Sequence, residues 1–564
     1  MTHAGSPKKR RILHKNKTEE STMKKITALL LAVLMLFTAV SAFAEVPQEL
    51  QVSDMFPLSE PITMTILMPQ QSDVVDLKDN VVFQLLKEYT NIDINLITVP
   101  SEDGKEKLNL LLNSGDYPEV IMGIGLKSQD LENYGVQEGI LMPLNDLIDQ
   151  YAPKIAAQLA EHPNWKVDMT CSDGNIYAIP AVDSAGVGHV NCATKYWINE
   201  QWLKNLGLEM PTTTEEFKNV LLAFKNDDPN GNGIADEIPL SGCINSWNAD
   251  PYLFLLNAFG YFDTTYYYLK DGTFQSILDQ DYMKKGLAYM NDLYNEGLID
   301  PAAFTQDNSQ MTALGNNADI EILGCAPAGH VGMILDINNV ERYVQYAMML
   351  PLEGPDGYRY IPYTKSVSVN GGMFMITDAC KHPEVAIAIA DLFSDPIWTL
   401  QGQVGTRGVE WDYADEGTLG MDGVTPAAYK FLQYQTPAQV VDAWWWTYRG
   451  IEPDWKNLVQ TDPEQIMDPA NFESRLAFET SKLLPFAADV DSIPTLRFTN
   501  DDSTTYNQLK TAIDDYAKIA ITEFITGTRS VENDWDAYLA DLESLGYGRL
   551  LELVQATYNA QVGK

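Results

Sequence analysis

The first part of the chain alternates between two hydrophobic periods. Strand-like stretches, with apolar residues alternating or in short runs, are separated by stretches with apolar residues at helical spacing. This pattern predicts strands at 62–68, 92–99 and 119–122 and helices at 81–89 and 102–112. Strands that alternate with helices usually pair in parallel, because each helix crosses the sheet in the right-handed sense. We therefore predict an α/β lobe.

From about residue 196 onward, apolar residues follow helical spacing over longer stretches. Helices are predicted at 217–224, 252–259, 282–296, 383–393 and 506–525. A late strand is predicted where the alternating segment 365–369 continues into 373–376, and Pro383 suits the first turn of the next helix. This strand and helix would return the chain to the first lobe.

The N-terminus has the three parts of a secretory signal peptide. Met23 is followed by two lysines, an apolar run over 26–40 and small residues that end at Ala44. The run is shorter than the roughly 20 residues that a membrane-spanning helix needs. We predict that translation starts at Met23, that the leader is cleaved after Ala44, and that the protein is exported to the periplasm or cell surface. The alternative is a membrane anchor.

Charge limits the classes of partner. The chain has 78 Asp and Glu residues against 38 Lys and Arg residues, which gives a net charge of −40. Such a surface repels phosphate backbones and anionic lipids. We therefore expect no nucleic-acid partner.

The cysteines give little indication of disulfide bonding. There are five of them, without a CxxC pair, and one disulfide such as Cys171 to Cys192 would be compatible with their number. The first cysteine lies far beyond the leader, which disfavours a lipid anchor.

The most specific local motif is an Asp-, Asn- and Gly-rich loop at 228–237. A hard cation needs about six oxygen atoms that converge on one point, which favours calcium over zinc here. The twelfth position of an EF-hand would be Pro239, so the bidentate acid would have to be Glu237. The alternative is a solvated turn. The predicted ligands are Asp228, Asn230, Asn232, Ile234 through its carbonyl, Asp236 and Glu237.

Motifs for catalysis are missing from the sequence, and aromatic residues are more informative. The chain contains no HExxH, GxSxG, GxxxxGK[ST] or GxGxxG motif. It does contain 11 Trp, 28 Tyr and 19 Phe residues. Aromatic rings stack on the C–H faces of sugars, and polar side chains bind the hydroxyls, so this mixture suits a carbohydrate cleft. For any single Trp, the alternative is a place in the core.

Several stretches together resemble one known family. They are 112–119 (LNSGDYPE), 173–180 (DGNIYAIP), 202–217, the loop 228–239, 293–301 (LYNEGLIDP), 381–384 (KHPE) and 525–527 followed by Trp535. On these residues the chain resembles the family 1 extracellular solute-binding proteins of bacterial carbohydrate ABC transporters. The resemblance is strongest to the large calcium-loop oligosaccharide binders that include alginate-binding proteins.

The resemblance implies a periplasmic-binding-protein-like class II fold, in which two α/β lobes joined by a hinge close over one ligand in an interlobe cleft. It also implies structural calcium in the loop. This chain departs from the family where Asn199 to Leu203 contains no basic residue, and it has no lipobox cysteine. The predicted segments are a signal peptide (1–44), a linker (45–61), the first lobe (62–187), the second lobe (188–364), a return to the first lobe (365–440) and a mainly second-lobe segment with C-terminal helices (441–564).

The predicted function is capture of an oligosaccharide for an ABC importer, without catalysis. The expected partners are the sugar and the permease subunits, membrane association would be only through the permease, and the protein would be a monomer. The competing hypothesis is a secreted, calcium-stabilised enzyme that acts on glycans. Loop position and side-chain chemistry predict that the ligand contacts Gln70, Gln71, Trp247, Arg407, Glu410 and Trp411.

Overall fold

The computed structural model describes residues of one structural unit, which spans residues 50–564. The described residues are 50–70, 77, 81–100, 104–182, 192–244, 246–362, 369–421, 423–433, 456–491, 493–494, 496 and 498–563. The predicted signal peptide (1–44), Gln71 and the start of the late strand (365–368) lie outside the described residues.

Strands and helices occur throughout the described residues. The strands are β1 (Ile62–Gln70), β2 (Ile92–Pro100), β3 (Val120–Leu126), β4 (Ile179–Val182), β5 (Tyr196–Asn199), β6 (Tyr267–Lys270), β7 (Thr273–Ser276), β8 (Cys325–Pro327), β9 (Tyr346–Met349), β10 (Val369–Ile376), β11 (Trp411–Tyr413) and β12 (Tyr429–Phe431). The α-helices are α1 (Val81–Thr90), α2 (Gly104–Ser114), α3 (Ser128–Leu131), α4 (Asn145–Tyr151), α5 (Pro153–Glu161), α6 (Pro163–Met169), α7 (Glu200–Leu206), α8 (Thr214–Asn226), α9 (Asp281–Asn295), α10 (Asn308–Gly315), α11 (Val340–Tyr343), α12 (Pro383–Phe393), α13 (Pro396–Gln403), α14 (Phe472–Ser481), α15 (Asn500–Thr526), α16 (Trp535–Ser544) and α17 (Tyr547–Val562). Short 3₁₀ helices cover Leu255–Ala258, Pro301–Phe304, Val331–Met333, Lys456–Leu458, Pro463–Gln465, Pro469–Asn471 and Leu484–Phe486, and a π-helix covers Glu132–Gln137.

The first lobe is built on a five-stranded sheet of order β2-β1-β3-β10-β4. Strand β1 pairs in parallel with β2 and β3, which confirms the parallel arrangement predicted from the alternation of strands and helices. Strand β10 comes from far later in the chain and pairs antiparallel with both β3 and β4. The sheet is therefore completed only by the returning segment.

Alternate residues of the sheet face two separate apolar cores. On β1, Ile66 and Met68 belong to the core under α1, α4–α6, α12 and α13, whereas Leu67 belongs to the core under α2 and α3. Because successive side chains of a strand point to opposite faces, the apolar run of β1 fits a sheet that is covered on both sides.

The second lobe has its own, larger core around a three-stranded antiparallel sheet. The strand order is β8-β5-β9, and Trp197 on the central strand is fully buried. Helices α8 and α9 and the C-terminal helices α15–α17 contribute to the same core. Two separate hairpins, β6–β7 and β11–β12, complete the strands.

The N-terminus of α8 shows how local sequence fixes this lobe. Thr213 accepts a hydrogen bond from the Glu216 backbone N–H at 3.1 Å, and the Glu216 carboxylate accepts one from the Thr213 N–H at 3.2 Å. This reciprocal pair is a capping box, which satisfies backbone donors that a helix start leaves without partners. The helix leads directly into the predicted metal loop.

We expect Thr213→Ala to reduce the free energy of unfolding by about 1 kcal/mol, because the first turn of α8 loses its cap. Urea denaturation of the purified protein measures this change. Thr213→Ser retains the hydroxyl and is the matched control, with an expected stability close to wild type. Equal stability of the alanine variant and wild type would contradict the role of the cap.

None of the five cysteines forms a disulfide, so the bond considered between Cys171 and Cys192 is not present. Four of the five thiols are buried, and Cys171 is partly exposed. Within the described ranges, no helix combines the length and apolar composition required to cross a bilayer.

Candidate functional site

The predicted metal loop follows α8 and needs an unusual backbone. Asp228 has a φ of 48°, and Gly231 and Gly233 have φ values of 74° and 75°. A Cβ at either glycine would meet no atom within 4 Å, so left-handed backbone, and not lack of space, is what favours glycine there. The loop turns tightly enough to bring its polar side chains inward.

Four of the predicted ligands converge inside the loop. The Asp228 carboxylate accepts hydrogen bonds from the backbone N–H groups of Asn232 and Gly233, both at 3.0 Å. The Asn232 amide lies 3.1 Å from one Asp236 oxygen and 3.2 Å from the other, and the Asn230 amide lies 3.1 Å from the same carboxylate. These side chains therefore surround one small volume.

Glu237 and Ile234 complete the predicted set in different ways. One carboxylate oxygen of Glu237, Oε1, is buried and has no hydrogen-bond partner. Burial raises the pKa of the Glu237 carboxyl, and the charges of Asp236 and Asp228 raise it further. The Ile234 side chain is 62 % exposed, while its carbonyl accepts the Asp236 N–H at 3.0 Å. An orphaned buried carboxylate oxygen is costly, and a cation would satisfy it.

The acidic groups of the loop do not make a metal site on their own. In the part of the chain that the structure describes, no three Asp, Glu, His or Cys side chains are grouped for a metal ion. The amides of Asn230 and Asn232 and the Ile234 carbonyl would have to supply the remaining oxygens. Such a mixture of carboxylate, amide and carbonyl oxygens is the chemistry that calcium prefers.

Hydrogen bonds attach the loop to the sheet of the second lobe. Asn205 at the end of α7 donates to the Pro229 carbonyl at 2.8 Å, and Asn230 donates to the Glu321 carbonyl at 3.2 Å. Ile238, just after the loop, donates to the Ile322 carbonyl at 2.7 Å. The segment that contains Glu321 and Ile322 continues into β8, so the loop braces the edge of this sheet.

Among the predicted ligand contacts that the structure describes, Trp247 is the one with an exposed aromatic side chain. Its side chain is 39 % exposed, and its indole lies directly on Gly329. A Cβ on Gly329 would come within 2.0 Å of an indole carbon, and the Gly329 N–H donates to the Trp247 carbonyl at 3.2 Å. The peptide supports one side of the ring and leaves part of the ring open to solvent.

Two further rings pack in series behind this indole, and we call the three rings the aromatic wall (Trp247, His330 and Phe472). Trp247 is its exposed member, whereas Phe472 is 2 % exposed and belongs to the core. The His330 ring centroid lies 6.1 Å from that of Trp247 and 5.4 Å from that of Phe472, the latter in an edge-to-face arrangement. Polar groups lie beside Trp247 in sequence: the Asn248 amide oxygen accepts a bond from Thr194, and Ser246 bonds to Asn308. The exposed Trp247 indole and the polar groups beside it can bind a ring-shaped ligand with apolar faces and polar edges.

A buried arginine fixes Phe472, which is the first residue of α14. Arg475 is 2 % exposed; it donates to the Glu479 carboxylate at 3.1 Å and to the Tyr343 carbonyl at 3.3 Å. Burial raises the pKa of the Glu479 carboxyl, although the charge of Arg475 opposes this rise. Burial also lowers the pKa of Lys195 to about 8, and the charge of Lys195 acts on Glu479. These contacts hold α14 against the second lobe.

Arg407, Glu410 and Trp411 lie together in the β11–β12 region, where they serve local structure. Trp411 is fully buried and donates to the Gly405 carbonyl at 2.9 Å, and Glu410 is 6 % exposed with its carboxylate accepting the Thr406 N–H at 2.6 Å. Arg407 is exposed, and its guanidinium carbon lies 4.6 Å from the centroid of the Tyr413 ring, on which it stacks. In this conformation the Trp411 indole has no surface for a ligand, which corrects its assignment as a stacking residue; it is a core residue.

Gln70, which was predicted to follow a first strand that ends at residue 68, is the last residue of β1. Its side-chain oxygen accepts the Leu77 N–H at 3.5 Å, and its side chain is partly exposed. Gly329, His330 and Phe472 were not among the predicted contacts. Nothing in the sequence near Trp247 indicates them, because three separate segments form the aromatic wall.

Comparison with known proteins shows which family and which solved structures this chain resembles. The family model described as bacterial extracellular solute-binding protein matches residues 74–397. A curated relative, the fructooligosaccharide ABC transporter substrate-binding protein FusA of Streptococcus pneumoniae, is 30 % identical over 521 residues, which cover 89 % of this chain and 91 % of FusA.

Two solved structures are also similar. The structure of the S. pneumoniae FusA EF-hand mutant in complex with fructo-nystose gives a TM-score of 0.72 at 27 % identity, covering 89 % of this chain and 100 % of that one. The structure of the alginate-binding protein AlgQ2 without calcium ion gives a TM-score of 0.66 at 23 % identity, and the match covers 91 % of this chain and 100 % of AlgQ2. The fold is therefore that of two α/β lobes, as the sequence predicts.

Proposed function

The chain belongs to the bacterial extracellular solute-binding proteins, and from this membership we propose that it captures an oligosaccharide and delivers it to the membrane subunits of an ABC importer. Substrate binding for an ABC transporter is the role of its relative FusA. The observation that carries the proposal is the match to FusA over most of both chains, together with the open indole of Trp247. A secreted enzyme that acts on glycans is not favoured.

Binding would proceed by lobe closure and leave the sugar unchanged. A ligand that contacts both lobes stabilises the closed form over the open form, and it shifts the equilibrium only by the difference between these two affinities. The aromatic wall belongs to the second lobe, and its exposed indole, Trp247, would contribute a stacking surface, with the first lobe supplying further contacts on closure.

The relatives favour a fructooligosaccharide as the ligand class. FusA is named for fructooligosaccharides, and its EF-hand mutant was solved with fructo-nystose. A neutral sugar also suits a chain of net charge −40, because an anionic glycan would approach against a repulsive field.

The loop 228–237 would hold a structural calcium ion. Asp228, Asn230, Asn232, Asp236 and Glu237 would bind it through side chains and Ile234 through its carbonyl, and the ion would satisfy the orphaned Glu237 oxygen. The existence of an EF-hand in FusA supports this assignment, because an EF-hand is a calcium-binding loop. The ion would brace the second lobe and take no part in ligand chemistry.

The protein functions outside the cytoplasm, in keeping with its family. We propose that the leader 1–44 directs export and that the mature chain is a monomer. Export allows the protein to meet its ligand before the importer does.

Calorimetric titration of the full mature chain with nystose tests the proposed function, with oligogalacturonide as the acidic comparison. We expect saturable binding of nystose at one site per chain and no new reducing ends after prolonged incubation. Released reducing ends would overturn the binding role in favour of an enzyme. Absence of binding to either sugar would overturn oligosaccharide capture.

A further inference from the structure

We propose that Asn232 in the 228–237 loop is a site of spontaneous deamidation, in which the Gly233 backbone nitrogen attacks the Asn232 side-chain amide. The chain contains three Asn–Gly steps, at 230–231, 232–233 and 370–371. An Asn–Gly step is chemically prone to this reaction because glycine has no Cβ to hinder ring closure. The structure distinguishes the three steps from each other.

Two hydrogen bonds prepare Asn232 for the attack. Its side-chain oxygen accepts the Ile234 N–H at 2.6 Å, which curls the side chain back over Gly233 and polarises the amide carbonyl. The Gly233 N–H donates to Oδ2 of Asp228 at 3.0 Å. The nucleophilic nitrogen is therefore paired with a carboxylate that can accept its proton, and the attacked carbonyl is paired with a donor that stabilises developing negative charge.

The reaction balances with water as its only co-reactant. The Gly233 nitrogen bonds to the Asn232 amide carbon while its proton passes to Asp228. The bond from that carbon to the amide nitrogen then breaks, and the nitrogen leaves as ammonia with the proton returned by Asp228. Water opens the resulting succinimide at one of its two carbonyls, which gives aspartate or isoaspartate.

The other two Asn–Gly steps lack this arrangement. Asn230 has a similar side-chain turn, with its oxygen accepting the Asn232 N–H at 3.1 Å, but the Gly231 N–H donates to the Asp228 backbone carbonyl and not to a carboxylate. Asn370 lies in β10, where its backbone pairs with Ala181 in the interior of the sheet. We expect the rate to decrease from Asn232 to Asn230 to Asn370.

Deamidation would change the loop irreversibly. Aspartate at position 232 would add a negative charge beside Asp228 and Asp236, and isoaspartate would lengthen the backbone by one carbon. If the loop binds calcium as proposed above, the ion would engage the Asn232 oxygen and the Asp228 carboxylate and slow the reaction. A chain that loses its ion would then convert into a form that binds it less well.

Peptide mass spectrometry after incubation of the full mature chain with a chelator tests the proposal. We expect Asn232 to react faster than Asn370 by about tenfold or more, since a positioned proton acceptor contributes at least that much. Asp228→Asn removes this acceptor at nearly constant size, and it should bring the rate at position 232 towards that at Asn230 without changing Asn370. Rates at Asn232 no higher than at Asn370, or unaffected by Asp228→Asn, would overturn the proposal.

A parallel incubation with calcium separates this proposal from that of the metal site. Slower reaction at Asn232 in calcium supports both. An unchanged rate in calcium, with rapid reaction in both buffers, would count against calcium binding and leave Asn232 as the deamidation site. Isoaspartate detection confirms the succinimide route, because direct hydrolysis gives only aspartate.

Discussion

Replacement of Trp247 with alanine is expected to weaken nystose binding about a hundredfold, which corresponds to a loss of roughly 3 kcal/mol. The indole is supported by Gly329 on one side and is 39 % exposed, so it is preorganised for stacking and needs little ordering when a sugar binds. Isothermal titration calorimetry measures the dissociation constant, and circular dichroism checks that the variant folds.

Two variants test the geometry behind this expectation. Gly329→Ala would place a methyl group about where the indole lies, because the Cβ would come within 2.0 Å of a ring carbon, and it should weaken binding in the same direction. Phe478→Ala removes another exposed aromatic ring of the same lobe, 53 % exposed on α14, and should leave binding unchanged. Wild-type affinity in a folded Trp247→Ala protein would remove the aromatic wall from the binding site.

Removal of calcium is expected to produce the largest change in stability. An ion present at about 1,000 times its dissociation constant stabilises the folded state by about 4 kcal/mol, and chelation removes this contribution. Differential scanning calorimetry with calcium and with chelator measures the shift in melting temperature. Identical melting temperatures in the two buffers would show that the loop holds no stabilising ion.

Glu237→Gln should reverse its effect between these two conditions. With calcium, the variant loses a charged ligand and is expected to melt below wild type. With chelator, it replaces a buried carboxylate that has an orphaned oxygen by a neutral amide, so it should be at least as stable as wild type. Glu552→Gln, on the exposed surface of α17, is the control and should show neither effect.

The first lobe was the part most open to prediction from sequence. The strands predicted at 62–68, 92–99 and 119–122 are β1, β2 and β3, and the helix predicted at 81–89 is α1. The apolar periods of these segments are visible in the local sequence, so these strands and this helix could be predicted without knowledge of their tertiary contacts. The antiparallel pairing of β10 has no such local signal, because it depends on how the returning segment meets β3 and β4.

The second lobe shows where the periodicity misleads. The helix predicted at 252–259 is a single 3₁₀ turn at Leu255–Ala258 flanked by other turns. This segment is buried on all sides, and the Asn257 side chain bonds to the backbone of Leu253 and Phe262 in competition with helical hydrogen bonds. The β6–β7 hairpin was missed although Asp271–Gly272, both with positive φ, is a recognised turn signal.

The candidate site was predictable only where its residues are adjacent in sequence. The six loop residues at 228–237 could be proposed together, since a metal loop is a local pattern, and their role as ligands stays a prediction. Trp247 could be proposed from its chemistry, but Gly329 reaches it, and Phe472 reaches the neighbouring His330, only through the packing of the second lobe. Trp411 shows that side-chain chemistry can also mislead, because this indole lies in a polar stretch of sequence and yet is fully buried in the core.

The late arrival of β10 has a consequence for biogenesis. Because β10 inserts between β3 and β4, the N-terminal sheet keeps an open gap until the chain has been synthesised past Ile376. A nascent or partly translocated polypeptide would expose two unpaired strand edges, which favours aggregation and engagement by chaperones. Such non-local pairing also slows folding, so an exported precursor would remain unfolded, and therefore competent for secretion, for longer than a protein whose sheet closes locally.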